Sequence, residues 1–376
     1  MKRAAQRRTR YLNDLLIGLC VVAAGIAAVN GDQKSASAFV VAALLNIWVS
    51  WHHEKKTGTF AYRLKELVLP GRVFPYERTF ASPLRRELKD RVYRAAIGGI
   101  ILELILLLVS VEAGFTSDTL LAFGLAILAA LLPVGLLYEL LAVMTYAAAT
   151  KASAIAAKVI RCALSDNLAE LLLIVISVFG MLAWHIPLAI NAVQILFINA
   201  ILMAMPYAAV AWDTKPPSAK AHQGSAKLLS FGIAVSFLAY ANFLLFFARN
   251  ALSPKHVDLH NPYLFKASSL ALVTLVLCQI LNLFLVRADE HDSFFTNYLN
   301  SNRKLLYAVS ASLFMLLNLL YNPLVRPYFS TGPLSVFDWL AAIAAACTYL
   351  GFRILQRHTR KHTRHAVLAL HLAQRN

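Results

Sequence analysis

About ten runs of ~20 apolar residues punctuate this chain, each the length a helix needs to cross the hydrocarbon core of a bilayer. They fall near residues 12–29, 36–52, 95–111, 119–146, 164–184, 187–211, 228–248, 264–286, 304–321 and 334–355. Lipid offers no partner to a free backbone N–H or C=O, so such runs become helices packed on one another. Hydrophobic residues make up 59% of the 376 positions and charged residues 15%, against roughly half and a quarter in soluble domains. The composition therefore excludes a water-soluble core. The expected fold class is all-α: a polytopic membrane protein, a bundle of ten helices.

Charge placement orients the bundle. The net charge is +17. Five of the 36 Lys and Arg fall on one side (Lys34, Arg249, Lys255, Lys266 and Arg326), leaving 31 for the terminal tails and the joints between even and odd helices. Basic loops stay cytoplasmic, so both termini are expected in the cytoplasm, and the protein in a membrane such as a bacterial inner membrane. The expected partner of the excess charge is the anionic lipid bilayer rather than nucleic acid. The first helix follows Lys2, Arg3, Arg7, Arg8 and Arg10 without a convincing small-residue cleavage site, and reads as a retained signal anchor. The longest non-membrane stretch, His53 to Arg94, is basic and carries a short amphipathic piece, Phe60–Leu67, expected at the membrane surface. Cys20, Cys162, Cys278 and Cys347 lie in or beside apolar runs without close pairing and read as packing residues. No resident metal or cofactor is expected.

The pattern of the segments carries a resemblance. LLAFGLAILAALLPVGLLYELLAVM is followed by LSDNLAELLLIVISVFG, and SDNLAELLLIVISVFGMLAWHIPLAINAVQILFINAILMAMPYAAVAWDTKPP is the most telling stretch. SPLRRELKDRVYR precedes the third helix, and SNRKLLYAVSASLFMLL with PLSVFDWL stands near the end. In order and spacing these resemble the transmembrane domain of type II P-type ATPases, the calcium- and sodium-pump branch, over nearly the whole chain. The resemblance implies one transmembrane domain over 1–376. Helices 1–2 lie in 1–52, and a basic loop over 53–94 stands where the actuator domain would be. Helices 3–5 lie in 95–184 without the catalytic insertion, helices 6–10 in 185–355, and a basic tail follows at 356–376. Only Tyr146 to Leu164 joins the fourth and fifth segments, where the family inserts its ATP-hydrolysing module.

The resemblance also implies where ions would be held. The family's fourth helix breaks at Pro-Glu-Gly-Leu, whose Glu supplies a hard oxygen ligand. Here the turn reads Pro133-Val134-Gly135-Leu136, so the break is kept and the acid is lost, with Glu139 five residues further on. The fifth helix's Asn and Glu match Asn167 and Glu170, one turn apart on one face. The sixth helix's Asn-x-x-Thr-Asp matches Asn199 to Met203: the Asn survives, and Met203 replaces the acid. In the eighth helix the acidic position falls near Val276, leaving Gln279 and Asn282 as polar groups. The implied degenerate ion pathway is thus Pro133, Val134, Gly135, Glu139, Asn167, Glu170, Asn199 and Met203. One carboxyl and a few amides fall short of the ~6–8 oxygen ligands, with compensating charge, that a calcium site needs.

The family's phosphorylation motif, Asp-Lys-Thr-Gly-Thr, takes the phosphoryl group on its Asp. This chain has Lys55-Lys56-Thr57-Gly58-Thr59, with Lys in the nucleophile's place and in the wrong location. The actuator motif, the Mg²⁺-holding aspartates and any Walker loop are missing from the sequence. The chain is therefore expected not to be an enzyme but a pseudoenzyme. Glu103, Glu139 and Glu170 are the acids expected inside the bilayer, where an ionisable group is costly enough to suggest function. Each reads either as a proton-linked group or as a neutral acid bridging helices. Asp166 reads as an entrance or helix-start charge, and Asn199 and Gln194 as interhelical hydrogen bonders. Spacing of four in the tail's His358 and His362, with His365 and His371 beyond, permits a metal site. A basic helix resting on anionic lipid explains the same residues more simply.

Two functional expectations stand. One is a non-catalytic, pump-like protein of cation transport serving as a regulatory or assembly partner of another membrane protein. The other is a passive or proton-coupled transporter carrying a monovalent cation, a proton or a polar solute. An ATPase completed by a separate chain is a third and weaker reading.

Overall fold

The computed structural model of the chain describes residues 17–18, 20–45, 47, 122, 124–126, 129–130, 152–211, 225–255, 257, 261–287 and 303–373. Secondary structure among them is helical throughout. Two short apolar helices, α1 (Cys20–Val29) and α2 (Gln33–Leu45), form a hairpin turned by Gly31 at φ 78°. Then come α3 (Ala152–Trp184), α4 (Ala192–Phe197), a π-helical turn (Ile198–Leu202) and α5 (Ala204–Ala211). They are followed by α6 (Ser225–Arg249), α7 (Pro262–Arg287), α8 (Arg303–Tyr321), the single turn α9 (Arg326–Phe329) and α10 (Val336–Ala373).

Six stretches are long and apolar enough to span a membrane: Cys162–Trp184, Ala192–Val210, Leu229–Arg249, Pro262–Leu285, Arg303–Tyr321 and Val336–Gln356. They coincide with the fifth to tenth apolar runs of the sequence, and the chain is an integral membrane helical bundle. Helix α7 is the most enclosed span, flanked by α3, α5, α6, α8 and α10. Polar side chains on it therefore face other helices and not lipid. Helices α3 and α6 pack along their length, and Gly232 makes this approach feasible: a Cβ there would come within 2.9 Å of Leu168 Cγ and 3.1 Å of Leu172 Cδ1.

Helix ends follow local chemistry. Asn191 caps α4 in a reciprocal box: its Oδ1 accepts from Gln194 N at 2.9 Å, and its own N donates to Gln194 Oε1 at 3.1 Å. Helix α6 stops in a Schellman turn. Ala251 adopts φ 53°, its N–H reaches Ala248 O, and Leu252 N reaches Phe247 O at 2.9 Å. The start of α10 is capped by Ser335, whose N and Oγ both bond Asp338 Oδ2. Asp338 also pairs with Arg249 at the end of α6.

Several boundaries differ from expectation. The fifth helix begins at Ala152, not near 164, so much of the supposed joint between the fourth and fifth segments is helix. Alanines at 152, 154, 156 and 157 explain this, since Ala is the best helix former. The sixth run is not one helix from 187; it starts at Ala192 and is interrupted by the π turn. The tenth helix was expected to end near 355, yet α10 continues without a break to Ala373. No Gly or Pro interrupts 352–373, so nothing local ends the helix at the membrane boundary. The third segment, most of the first, second and fourth, and the loop over 53–94 with Phe60–Leu67 lie outside the described residues.

Candidate functional site

Two tiers of buried polar groups sit one helical turn apart in the bundle. The upper is centred on Glu170 of α3, a fully buried residue. Its Oε2 accepts from Asn199 Nδ2 at 2.6 Å, and its Oε1 from Gln279 Nε2 at 2.9 Å. Asn199 belongs to the π turn, Gln279 to α7. One carboxyl therefore ties three elements across a membrane interior.

The π turn aims Asn199. One extra residue in the turn lets Met203 N reach back to Ile198 O at 2.8 Å, displacing the helix axis where α4 gives way to α5. Such bulges cluster at functional sites. The irregular backbone is served from outside: Ser312 Oγ of α8 lies 2.6 Å from Leu202 O and 2.9 Å from Ala308 O. A backbone carbonyl at this depth needs such a partner, because lipid supplies none.

The lower tier is centred on Asp166. Its Oδ2 accepts from the Tyr207 hydroxyl of α5 and, at 3.7 Å, from Cys162 Sγ. Its Oδ1 accepts from Asn282 Nδ2 of α7 at 3.1 Å. Asn282 Nδ2 also lies 2.9 Å from Ser165 Oγ and 3.4 Å from Cys162 Sγ, and Asn282 Oδ1 accepts from Tyr349 OH of α10 at 3.2 Å. Asp166, Tyr207, Asn282, Cys162 and Tyr349 are all buried. The reading of Asp166 as a helix-start charge is thus overturned: with α3 beginning at Ala152, Asp166 falls well inside the helix and faces its neighbours.

Of the residues expected to line an ion pathway, the structure brings Glu170 and Asn199 into direct contact. Asn167 is buried, but its Oδ1 has no hydrogen-bond partner, and Gln279 Oε1 likewise has none. Met203 is buried and supplies no hard oxygen. Pro133, Val134, Gly135 and Glu139 lie outside the described residues, as does Glu103. Gln279 and Asn282, noted in the sequence only as leftover polar groups, are direct partners of the two acids. Tyr207, Cys162, Ser165 and Tyr349 were missed. Asn282 follows Gln279 by three, so the two share a face of α7, a signal that was available. Tyr207 was masked, because the π turn shifts the register between it and Asn199.

Gln194 serves the opposite end of the sixth run. Its Nε2 donates to Phe329 O at 3.2 Å and lies 3.4 Å from Ser330 O, while Ser268 Oγ of α7 donates to its Oε1 at 3.0 Å. This is the interhelical bonding expected of Gln194. Of the four cysteines, Cys20, Cys162 and Cys278 are buried and Cys347 exposed, all free. Among the described residues no group of three or more His, Cys, Asp or Glu side chains gathers into a metal site. The tail histidines stand on α10, with their side chains outside the described set.

Chemically, the upper tier is short of what a hard cation needs. Both amides present N–H hydrogens to Glu170, so their nitrogens are donors and supply no ligand. What remains is the Glu170 carboxyl with the side-chain oxygens of Asn167, Asn199 and Gln279, still fewer than a hard divalent cation takes. The tiers hold helices together by bonds among uncharged donors and two acids.

Residues 187–357 match the protein family described as cation transporting ATPase, C-terminus. A stretch of 198 residues, 50% of this chain, is 28% identical to the calcium-transporting ATPase of Bacillus subtilis (strain 168), of which it covers 20%. The matched region thus spans about one fifth of that relative's length. The α4–π–α5 break and the spans from Ala192 to Gln356 fall in the matched region, the Glu170 tier lies on the helix before it, and over residues 187–357 this chain is similar to the C-terminal part of cation-transporting ATPases.

Proposed function

We propose that this chain is a non-catalytic membrane protein of cation transport, a pseudoenzyme that acts as a regulatory or assembly partner of another membrane protein. It resides in a bacterial inner membrane with both termini in the cytoplasm. The observation that carries the reading is the state of Glu170. In a working cation site, oxygens converge on an empty centre. Here both carboxyl oxygens are taken by amide donors from neighbouring elements, which makes the residue a clasp between helices. The sequence has no Asp-Lys-Thr-Gly-Thr motif, which supports the absence of phosphoryl transfer. Purified protein in liposomes, without ATP, is expected to pass none of H⁺, Na⁺, K⁺, Mg²⁺ or Ca²⁺, and cross-linking in its native membrane to capture one membrane protein in defined stoichiometry. A stable monomer with no partner, and unchanged ion handling on deletion, would overturn the reading.

A second reading rests on a separate observation. Asp166 and Glu170 stand one turn apart on α3, and Asn167 Oδ1 and Gln279 Oε1 are buried acceptors without donors. That combination suits a passive or proton-coupled route. Flux present in the wild type and lost in Glu170→Gln would put this reading first.

A further inference from the structure

We infer that the lower tier is an inner gate, in which the Asp166–Tyr207 contact closes the approach to Glu170 from the end of the bundle holding Cys162 and Arg353. The inference does not depend on the partner reading; it concerns how the site is sealed, whether or not anything passes.

Four elements meet at the level of Asp166. Helix α3 contributes Cys162, Ser165 and Asp166, α5 contributes Tyr207, α7 contributes Asn282, and α10 contributes Tyr349. Hydrogen bonds run from α5 to α3, from α7 to α3 and from α10 to α7, so a plate of side chains crosses the bundle. Glu170 lies four residues further along α3, about 6 Å deeper along its axis. Just outside the plate, Arg353 is buried, with Nη1 on Gln356 Oε1 at 3.2 Å and Nε without a partner. The groups facing Asp166 are thus Cys162, Tyr207, Asn282 and, beyond Asn282, Tyr349.

Two of these ties, from α7 to α3 and from α10 to α7, join helices of more than twenty residues. Tyr207 differs. It rides on α5, described over Ala204–Ala211 and separated from α4 by the π turn and Met203. That joint lets α5 tilt with only local change in the backbone, and a π turn can revert to α-helix by moving one residue across it. Tyr207 is therefore the leaf of the gate and Asp166 its catch. Opening would expose Cys162, which touches both Asp166 and Asn282.

Cys162 is the natural reporter. Full-length protein in lipid nanodiscs is treated with a small, charged methanethiosulfonate, and labelling of each cysteine is followed by peptide mass spectrometry. Cys162 in detergent-denatured protein serves as the fast reference, and Cys20, buried on α1, as the reference for global loosening. Tyr207→Phe removes only the hydroxyl. It should speed Cys162 labelling by about tenfold or more, the factor that loss of one buried hydrogen bond to an acid imposes on a local opening equilibrium, with Cys20 unchanged. Thr331→Ala, which removes a buried hydroxyl at the opposite end of the bundle, should leave Cys162 at its wild-type rate. Equal Cys162 rates in wild type and Tyr207→Phe would overturn the gate. So would wild-type labelling of Cys162 as fast as in the denatured protein, or a parallel rise at Cys20.

Discussion

Replacing Glu170 separates hydrogen bonding from charge at the centre of the bundle. In Glu170→Ala, Asn199 Nδ2 keeps Ile195 O at 3.1 Å, but Gln279 Nε2 has no other acceptor and a side-chain-sized void opens. A stranded buried donor costs about 1–3 kcal/mol, and truncating a long buried side chain to Ala about 2–5 kcal/mol. The two overlap in the same space, so the loss is expected at about 3–5 kcal/mol. Glu170→Gln behaves differently. Its oxygen keeps the bond from Asn199, which cannot reverse without giving up Ile195. Its new NH₂ then faces Gln279, whose amide turns over and presents the oxygen that is now without a partner. The ring is complete again without a buried acid, and the expected change is below about 1 kcal/mol in either direction. Reversible unfolding in mixed micelles, monitored by circular dichroism, measures both. If Glu170→Gln loses as much as Glu170→Ala, the negative charge holds the helices, which implicates a bound cation and refutes the clasp.

Other substitutions test the frame around the site. Gly332→Ala would set a Cβ 2.7 Å from Lys266 Cγ and 3.1 Å from its backbone nitrogen; a loss of about 1–3 kcal/mol is expected, read by the same unfolding assay. Asp338→Ala should cost more than Arg249→Ala. Asp338 completes the Ser335 cap, worth about 1 kcal/mol, whereas Arg249, 36% exposed, should lose less than about 1 kcal/mol; paired unfolding curves decide the order. Gln194→Leu removes two bonds to the α9 loop, one from Ser268 and the capping bond from Asn191 N, and should raise amide exchange at Thr331 and Gly332 while leaving Cys162 labelling unchanged.

Much of this architecture was legible from the chain. The fifth to tenth apolar runs correspond to the six described spans, with ends shifted by a few residues at α6, α7 and α8. Glu170, Asn199, Gln279 and Asn282 were picked out by the resemblance, and Glu170 also because a buried acid is costly in a bilayer. What escaped was mostly register. A π turn adds a residue that no hydrophobic period reveals, so Tyr207 could not be assigned to the face of Asp166. The helix start at Ala152 was hidden because alanine-rich sequence reads as readily as a joint between spans as it does as helix. Asp166 was misjudged for the same reason: a helix thought to begin at 164 makes it a terminal charge, whereas one beginning at 152 buries it.

Apolar length alone made this chain a helical membrane bundle, because a bilayer rejects every backbone that does not bond itself. The distribution of Lys and Arg set the expected orientation, and the loss of acids at Val134 and Met203 already argued against a divalent-cation site. Which amide turns its hydrogens toward which acid was decided only in three dimensions. Asn199, Gln279, Tyr207 and Asn282 lie 29 to 116 residues from the acids they bond, on elements whose rotation about their axes depends on the packing of all their neighbours. Sequence specifies that such groups need partners; the packed bundle chooses them.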